Sequence, residues 1–302
     1  MSERSPRIRV YARNGEVLLR DGLSICFYMH RSHQEVAPGV MSSLDTYLKA
    51  LGPQALRWYA DHEGDWQELD TAGWQVVQRE LSGGNTAHIT LKDTPGGAGQ
   101  YRFEYYGRQL DAPGSVNKPG VISAVEFWLP TEFLEEHGPE RVRELAQKMA
   151  APLPFNSGHA GLSFNALGQL PGVSGEIRQS CFRYPGMDVR DLEDLASNLG
   201  TRVRGAYWLT FLGQPVLSEL GGVAGLRARL SSPDITVQEM EGTRTVITLG
   251  KWPEAGDTEQ GHELPLYREL ARVLEPWLYQ APPTQDGVAD ADLRRWERRF
   301  LD

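Results

Sequence analysis

Apolar and polar positions along this chain fall into short blocks of two periods. Strand-like blocks occupy residues 16–29, 87–91, 101–106, 121–129 and 158–165, with an apolar run, RGAYWLTFL, at 204–212. Within the first block, Asp21-Gly22 signals either a hairpin or a bulged strand. Residues 235–240 and 244–249 flank Glu241-Gly242-Thr243, a three-residue turn carrying glycine, and together predict a hairpin. Helical spacing governs the other blocks. Leu44, Tyr47, Leu48 and Leu51 predict a helix over 41–51, capped by Ser42 and stopped at Gly52-Pro53. A second helix starts near Thr131, with early acids (Glu132, Glu135, Glu136), late basic residues (Arg141, Arg143, Lys148) and an apolar stripe of Val142, Leu145, Ala146 and Met149. Further helices are expected over 188–199, capped by Asp188, over 215–230 with a break at Gly221-Gly222, and over 264–278. Leu293, Trp296 and Phe300 give the tail an apolar side, so it should dock as a short amphipathic helix.

This order predicts an α+β fold of mixed, largely antiparallel sheets packed by amphipathic helices. It leaves room for two similar α+β halves, residues 1–152 and 153–280, divided at Ala151-Pro152-Leu153-Pro154. Residues 281–302 then supply a linker (281–287) and the docking helix.

Composition narrows the function classes. With 40% hydrophobic and 24% charged residues, eight Trp, eleven Tyr and nine Phe, the 302-residue chain can bury a large core. A formal charge of −9 argues against a general nucleic-acid binder, because phosphate neutralisation needs a basic surface. No apolar run approaches the roughly 18 residues that span a bilayer, so no membrane is expected. The charged start, MSERSPRIRV, lacks the apolar core of a secretory signal. Cys26 and Cys181 lie in apolar or aromatic runs and read as buried thiols in a reducing, cytoplasmic location.

Most catalytic patterns fail on spacing. His30 and His33 stand three apart after a strand and read as a surface turn. Gly172-Val173-Ser174-Gly175 lacks the spacing of a nucleophile elbow. Gly250-Lys251 precedes Trp252 and not Ser or Thr, which excludes a phosphate loop, and Gly221 to Gly225 has no βαβ frame. Pro233-Asp234 with Glu239 and Glu241 lacks the lysine of a metal-dependent nuclease core. Two acidic stretches remain. Residues 61–70 carry Asp61, Glu63, Asp65, Glu68 and Asp70 around Trp66, and residues 254–263 carry Glu254, Asp257, Glu259 and Glu263; neither holds Lys or Arg. Solvated loops are one reading. The other is a surface that meets a basic groove on a partner, by steering and by imitating phosphate charge. On that reading Asp61, Glu63, Asp65, Trp66, Glu68 and Asp70, then Asp257, Glu259 and Glu263, are the partner-binding candidates.

The second half carries an ordered set of strings: Ser157-Gly158-His159-Ala160-Gly161, then Arg183-Tyr184-Pro185-Gly186-Met187-Asp188. After them come Arg204-Gly205-Ala206-Tyr207-Trp208-Leu209-Thr210, Leu220-Gly221-Gly222, Gly250-Lys251-Trp252-Pro253, Leu264-Pro265-Leu266-Tyr267 and a close on Trp296 to Phe300. In this order they resemble the immunity proteins of type VI secretion, the TsiV type, across residues 15–300 in layout and 158–300 in motif. The resemblance implies a cytoplasmic antidote that binds a cognate toxic effector, often a nuclease, encoded by a neighbouring gene. It implies no cofactor, no metal and no catalytic residue. It also makes the strings fold determinants: Trp208, Leu209, Phe211 and Leu212 in the core, Gly186, Gly213 and Gly242 at turns, and Tyr267 and Trp277 packing the last helix. A hydrolase with dispersed Asp, Glu and His residues and an adaptor subunit of the secretion apparatus remain the alternatives.

Overall fold

A computed structural model describes residues 5–52, 54–114, 118–166, 171–189, 191–281 and 291–302. Apart from Ala281, the linker expected at 281–287 lies outside the described residues. In chain order the elements are β1 (Arg9–Tyr11), β2 (Val17–Met29), α1 (His33–Leu51), β3 (Trp58–Ala60), β4 (Trp66–Glu68), α2 (Thr71–Ser82), β5 (Ala87–Lys92), β6 (Arg102–Gly107), β7 (Ser123–Pro130) and α3 (Thr131–Ala150). The second half adds β8 (Ser157–Ala166), α4 (Pro171–Arg183), α5 (Leu192–Asn198), β9 (Leu209–Leu212), α6 (Val216–Glu219), α7 (Gly222–Arg229), β10 (Ile235–Met240), β11 (Arg244–Leu249), α8 (Pro265–Leu274) and α9 (Ala291–Glu297).

All the strands join one sheet, in the order β10-β11-β9-β8-β2-β7-β6-β5-β3-β4, with β1 beside the start of β2. Each paired set is antiparallel. The fold is therefore α+β, as the alternating blocks predict. β2 pairs with β7 on one side and β8 on the other, so the sheet runs without interruption across residue 152.

Residues 16–29 do not turn back at Asp21-Gly22; β2 is one thirteen-residue strand. Asp21 is almost fully buried and serves as an acceptor. Its carboxylate takes bonds from Ile8 N at 2.8 Å and the Thr131 hydroxyl at 2.6 Å, and pairs with Arg9. Gly22 lies where a Cβ would overlap the Asn165 side chain, so a close approach, not a turn, calls for glycine.

Helix α1 starts eight residues before the expected position. Ser32 is its cap, and Glu35 accepts from Ser32 N at 3.1 Å. His33 is buried there, its Nδ1 within 2.8 Å of the Tyr105 hydroxyl, while His30 is exposed. Ser42, expected as the cap, is a mid-helix residue.

One face of the sheet is apolar. Leu23, Ile25, Phe27, Phe103, Tyr105, Val125, Phe127 and Leu162 pack there with Val36, Val40 and Tyr47 of α1 and Val142, Leu145 and Met149 of α3. Trp208, Leu209, Phe211 and Leu212 are fully buried in the same cluster, as the strings imply. Tyr267 is buried and Trp277 half-buried against that core. Trp296 and Phe300 of the tail are buried too, with the Phe300 ring 5.4 Å from Tyr267. Cys26 and Cys181 are buried thiols, and burial pushes the Cys181 thiol up to about 11.

Candidate functional site

Because successive side chains of a strand point to opposite faces, the sheet's second face is set by the alternate residues. Polar residues predominate among them, while Cys26, Tyr28, Tyr106 and Ala124 pack a smaller apolar cluster there with Leu192 and Leu195. Cross-strand register aligns Thr90, Glu104, Glu126, Cys26, His159 and Thr210 in one row from β5 to β9. A neighbouring row runs Glu68, Trp58, Lys92, Arg102, Trp128 and Ser24 from β4 to β2. The signal was present in the sequence, since Glu104 stands between Phe103 and Tyr105 and Glu126 between Val125 and Phe127. The apolar partners alone suffice to identify the strands, and the polar alternates add nothing to that identification.

Helices α4, α5 and α9 cover part of this face and leave a cleft of about 880 Å³. Seven carboxylates, Glu104, Glu126 and Glu193 among them, line it with three guanidiniums, those of Arg102, Arg178 and Arg204. Arg102 lies 4.8 Å from the Trp128 ring and 2.6 Å from the Glu104 carboxylate. Arg204 lies 4.8 Å from the Trp296 ring and pairs with Glu297 at 3.3 Å.

Below the cleft a buried network joins three of the sequence strings. His159 Nε2 lies 3.0 Å from Asp188 Oδ2, and the Tyr207 hydroxyl donates to Asp188 Oδ1 at 2.7 Å. The Tyr207 ring stacks on His159 at 3.9 Å. Asp188 backbone atoms also bond to β8, donating to Leu162 O and accepting from Phe164 N. Asp188 was expected to cap a helix over 188–199; Asp191 does so instead, accepting from Asp194 N, and α5 begins at Leu192. With His159 and Asp188 exposed by 1% and 0%, no substrate reaches this pair, and it braces the fold. Burial by itself would raise the Asp188 carboxyl. The bond and charge of His159, the charge of Arg204 and the Tyr207 bond outweigh burial and hold it well below the usual carboxylate range. A depressed carboxylate stabilises the fold above its unfolded pKa of about 4 and loses that contribution as pH falls further. The gap in melting temperature between the wild type and Asp188→Asn should accordingly be widest at pH 7 and shrink as pH falls from about 4 toward about 2; a gap independent of pH would contradict this role.

The acidic candidates sort into anchored and outward-facing groups. Residues 58–68 form a small edge hairpin, β3-β4, of which Asp61 staples the turn. It accepts from Glu63 N and Asp65 N at 3.0 Å and from the Gln67 amide at 2.9 Å, and the Gln67 bond is the main cause of its lowered carboxyl pKa. Asp70 caps α2 through Gly73 N at 2.8 Å. Trp66 is half-buried, with the Lys92 ammonium 4.7 Å from its ring. Lys92 is itself buried; desolvation, helped by Arg102, lowers it to about 8. Glu63, Asp65 and Glu68 face solvent.

In the other stretch, Asp257 is held by Arg183 at 2.9 and 3.1 Å and caps a 3-10 turn, and Glu259 meets the same arginine at 2.7 Å. Glu263 is exposed. The two stretches do not come together. No hydrogen bond or ion pair among the described residues links them; residues 58–68 edge the sheet beyond β5, while Arg183 anchors Asp257 to α4.

Among the described residues, no group of three or more His, Cys, Asp or Glu side chains could hold a metal ion, and no helix is long and apolar enough to cross a membrane.

Comparisons with known proteins converge. A family described as "TsiV: Type VI immunity for VRR-NUC" matches residues 39–300. A solved structure described as "Pseudomonas aeruginosa T6SS protein PA0821" superposes with a TM-score of 0.78 at 20% identity, covering 97% of this chain and 87% of that one. At that identity the likeness concerns the fold. Among curated proteins, no sequence matches the chain.

Proposed function

The chain belongs to the TsiV family of type VI immunity proteins, and from that membership we propose that it neutralises a VRR-NUC nuclease effector by binding it one-to-one and covering its active site. The family match across residues 39–300 carries this reading, and it favours the antidote over a hydrolase or an adaptor. The producing cell's cytoplasm is the compartment in which such an antidote works.

The charge of the chain supports the mechanism. A nuclease holds phosphates with a basic surface, and a chain of net charge −9 is steered toward it. A tight complex needs roughly 1,200 Å² or more of buried surface, anchored by a few aromatic or charged residues. Glu63, Asp65 and Glu68 are the hairpin residues that can meet a partner without losing an internal role. Reversing these three to lysine should slow association by about tenfold or more at low salt and leave the melting temperature unchanged. An unchanged association rate would remove the hairpin from the contact surface. Asp61, Asp70 and Asp257 are poor choices for the same test, because each holds a turn, a helix start or an ion pair.

The reading is tested by co-expressing the chain with a VRR-NUC effector encoded beside it. Survival of the cells and recovery of a stoichiometric complex are expected. Cell death with no complex would move the hydrolase and adaptor readings forward.

A further inference from the structure

We propose that the cleft on the sheet's polar face receives an arginine- or lysine-bearing segment of the toxin; this rests on the antidote reading above. The acidic loops alone do not locate a contact. The cleft does, because shape, charge and aromatic content coincide there.

Its volume, about 880 Å³, lies within the range of sites that enclose a ligand or several side chains. Carboxylates outnumber guanidiniums seven to three among the described lining residues, so a cation entering it gains and an anion loses. The walls already seat cationic side chains in one repeated way, between an aromatic face and a carboxylate. Arg102 sits between Trp128 and Glu104, and Arg204 between Trp296 and Glu297. That combination of ring quadrupole and opposite charge suits a guanidinium or an ammonium.

The rim extends the same chemistry. Asp191 and Glu193 are exposed at the start of α5, and Leu293 of α9 is 38% exposed, one of three large hydrophobic side chains exposed among the described residues. An exposed leucine beside carboxylates offers apolar contact to the stem of a long basic side chain while its charged head is neutralised.

Register places the cleft and the edge hairpin on the same face of the sheet, which favours a macromolecular occupant. Glu68 and Trp58 of the edge hairpin, the buried Lys92, and Arg102 and Trp128 of the cleft lie in one cross-strand row on one face of the sheet. A partner seated in the cleft can therefore continue across β5 and β3 to the outward acids of the hairpin, which a free small cation cannot do. The two features are parts of one surface, and a nuclease carries the basic segments that fit it.

The test pairs the double variant Glu193→Lys, Leu293→Arg with the wild type, both full-length, against a purified, catalytically inactivated VRR-NUC effector from the same genome. Both positions are exposed, and equal melting temperatures establish that the fold is kept. The wild type should bind, and the variant should bind at least a hundredfold more weakly. A nine-residue peptide alternating arginine and leucine should compete with the effector for the wild type; its glutamate-for-arginine counterpart should not. Unchanged affinity of the variant, with the wild type binding well, overturns the cleft and leaves the antidote reading standing. Failure of the wild type to bind overturns both. Spermine competing as well as the peptide would assign the cleft to a free polyamine and overturn the segment.

Discussion

Replacing Asp188 with alanine is expected to cost about 3–5 kcal/mol of stability, the range for removing one member of a buried charged pair. The carboxylate is fully buried, bonds His159 and Tyr207, and takes part of the field of Arg204. Its loss would strand a buried imidazole and a buried hydroxyl at once, and each carries its own desolvation penalty. For a chain of this size the melting temperature should fall by about 5–8 °C. Asp188→Asn should cost less, because the amide keeps the shape and part of the bonding. Thermal unfolding followed by circular dichroism at pH 7 measures both. An Asp188→Ala protein as stable as the wild type would mean that the network does not brace the fold.

Gly186→Ala should destabilise by a comparable amount, about 3 kcal/mol, at the upper end of the cost of overpacking. An added Cβ would overlap the Glu254 carbonyl oxygen and press on that of Ala255. Those are backbone atoms, and Gly186 N donates to Ala255 O at 2.8 Å, so neither side can withdraw without losing that bond. The strain sits where the segment after α4 crosses the loop that carries Asp257. Gly172→Ala is the control: a Cβ there meets nothing within 4 Å, and no comparable loss is expected. Chemical unfolding of the two variants separates a packing clash from a general effect of removing glycine.

Local signals account for much of the fold. The hairpin of β10 and β11 falls on the residues that the turn Glu241-Gly242-Thr243 predicts, and Gly242 takes φ +73° there. Helix α3 begins at Thr131, and the tail docks through Trp296 and Phe300. The structure departs from the local signals where tertiary contacts reassign them. Asp21-Gly22 has the composition of a turn, but Asp21 is committed to Ile8, Arg9 and Thr131, and Asn165 fills the space beside Gly22. Asp188 has the composition of a cap, but its carboxylate is bonded to His159 of β8, twenty-nine residues earlier. Helix α2, with Val77 and Leu81 buried, and helix α4 lie outside the predicted elements; α2 is capped by Asp70, one of the partner-binding candidates.

The candidate site was legible only in part. The acids of 61–70 could be found by composition, but which of them are occupied inside the protein depends on Gln67, Gly73 and the β3-β4 turn. The cleft is assembled from β6, β7, β8, α4, α5 and α9, and its charges lie between residues 102 and 297. Its strand residues leave a trace in the alternation of charged and aromatic positions on β6 and β7. The helices that wall it are brought there by the sheet order, which no local pattern specifies.

Whether this chain disarms a nuclease by occupying it is tested most directly by a titration. A fixed amount of purified VRR-NUC effector would be mixed with rising amounts of the chain, and DNA cleavage followed. Activity should fall linearly and vanish at one chain per nuclease. Undiminished cleavage at several-fold excess of the chain would contradict it.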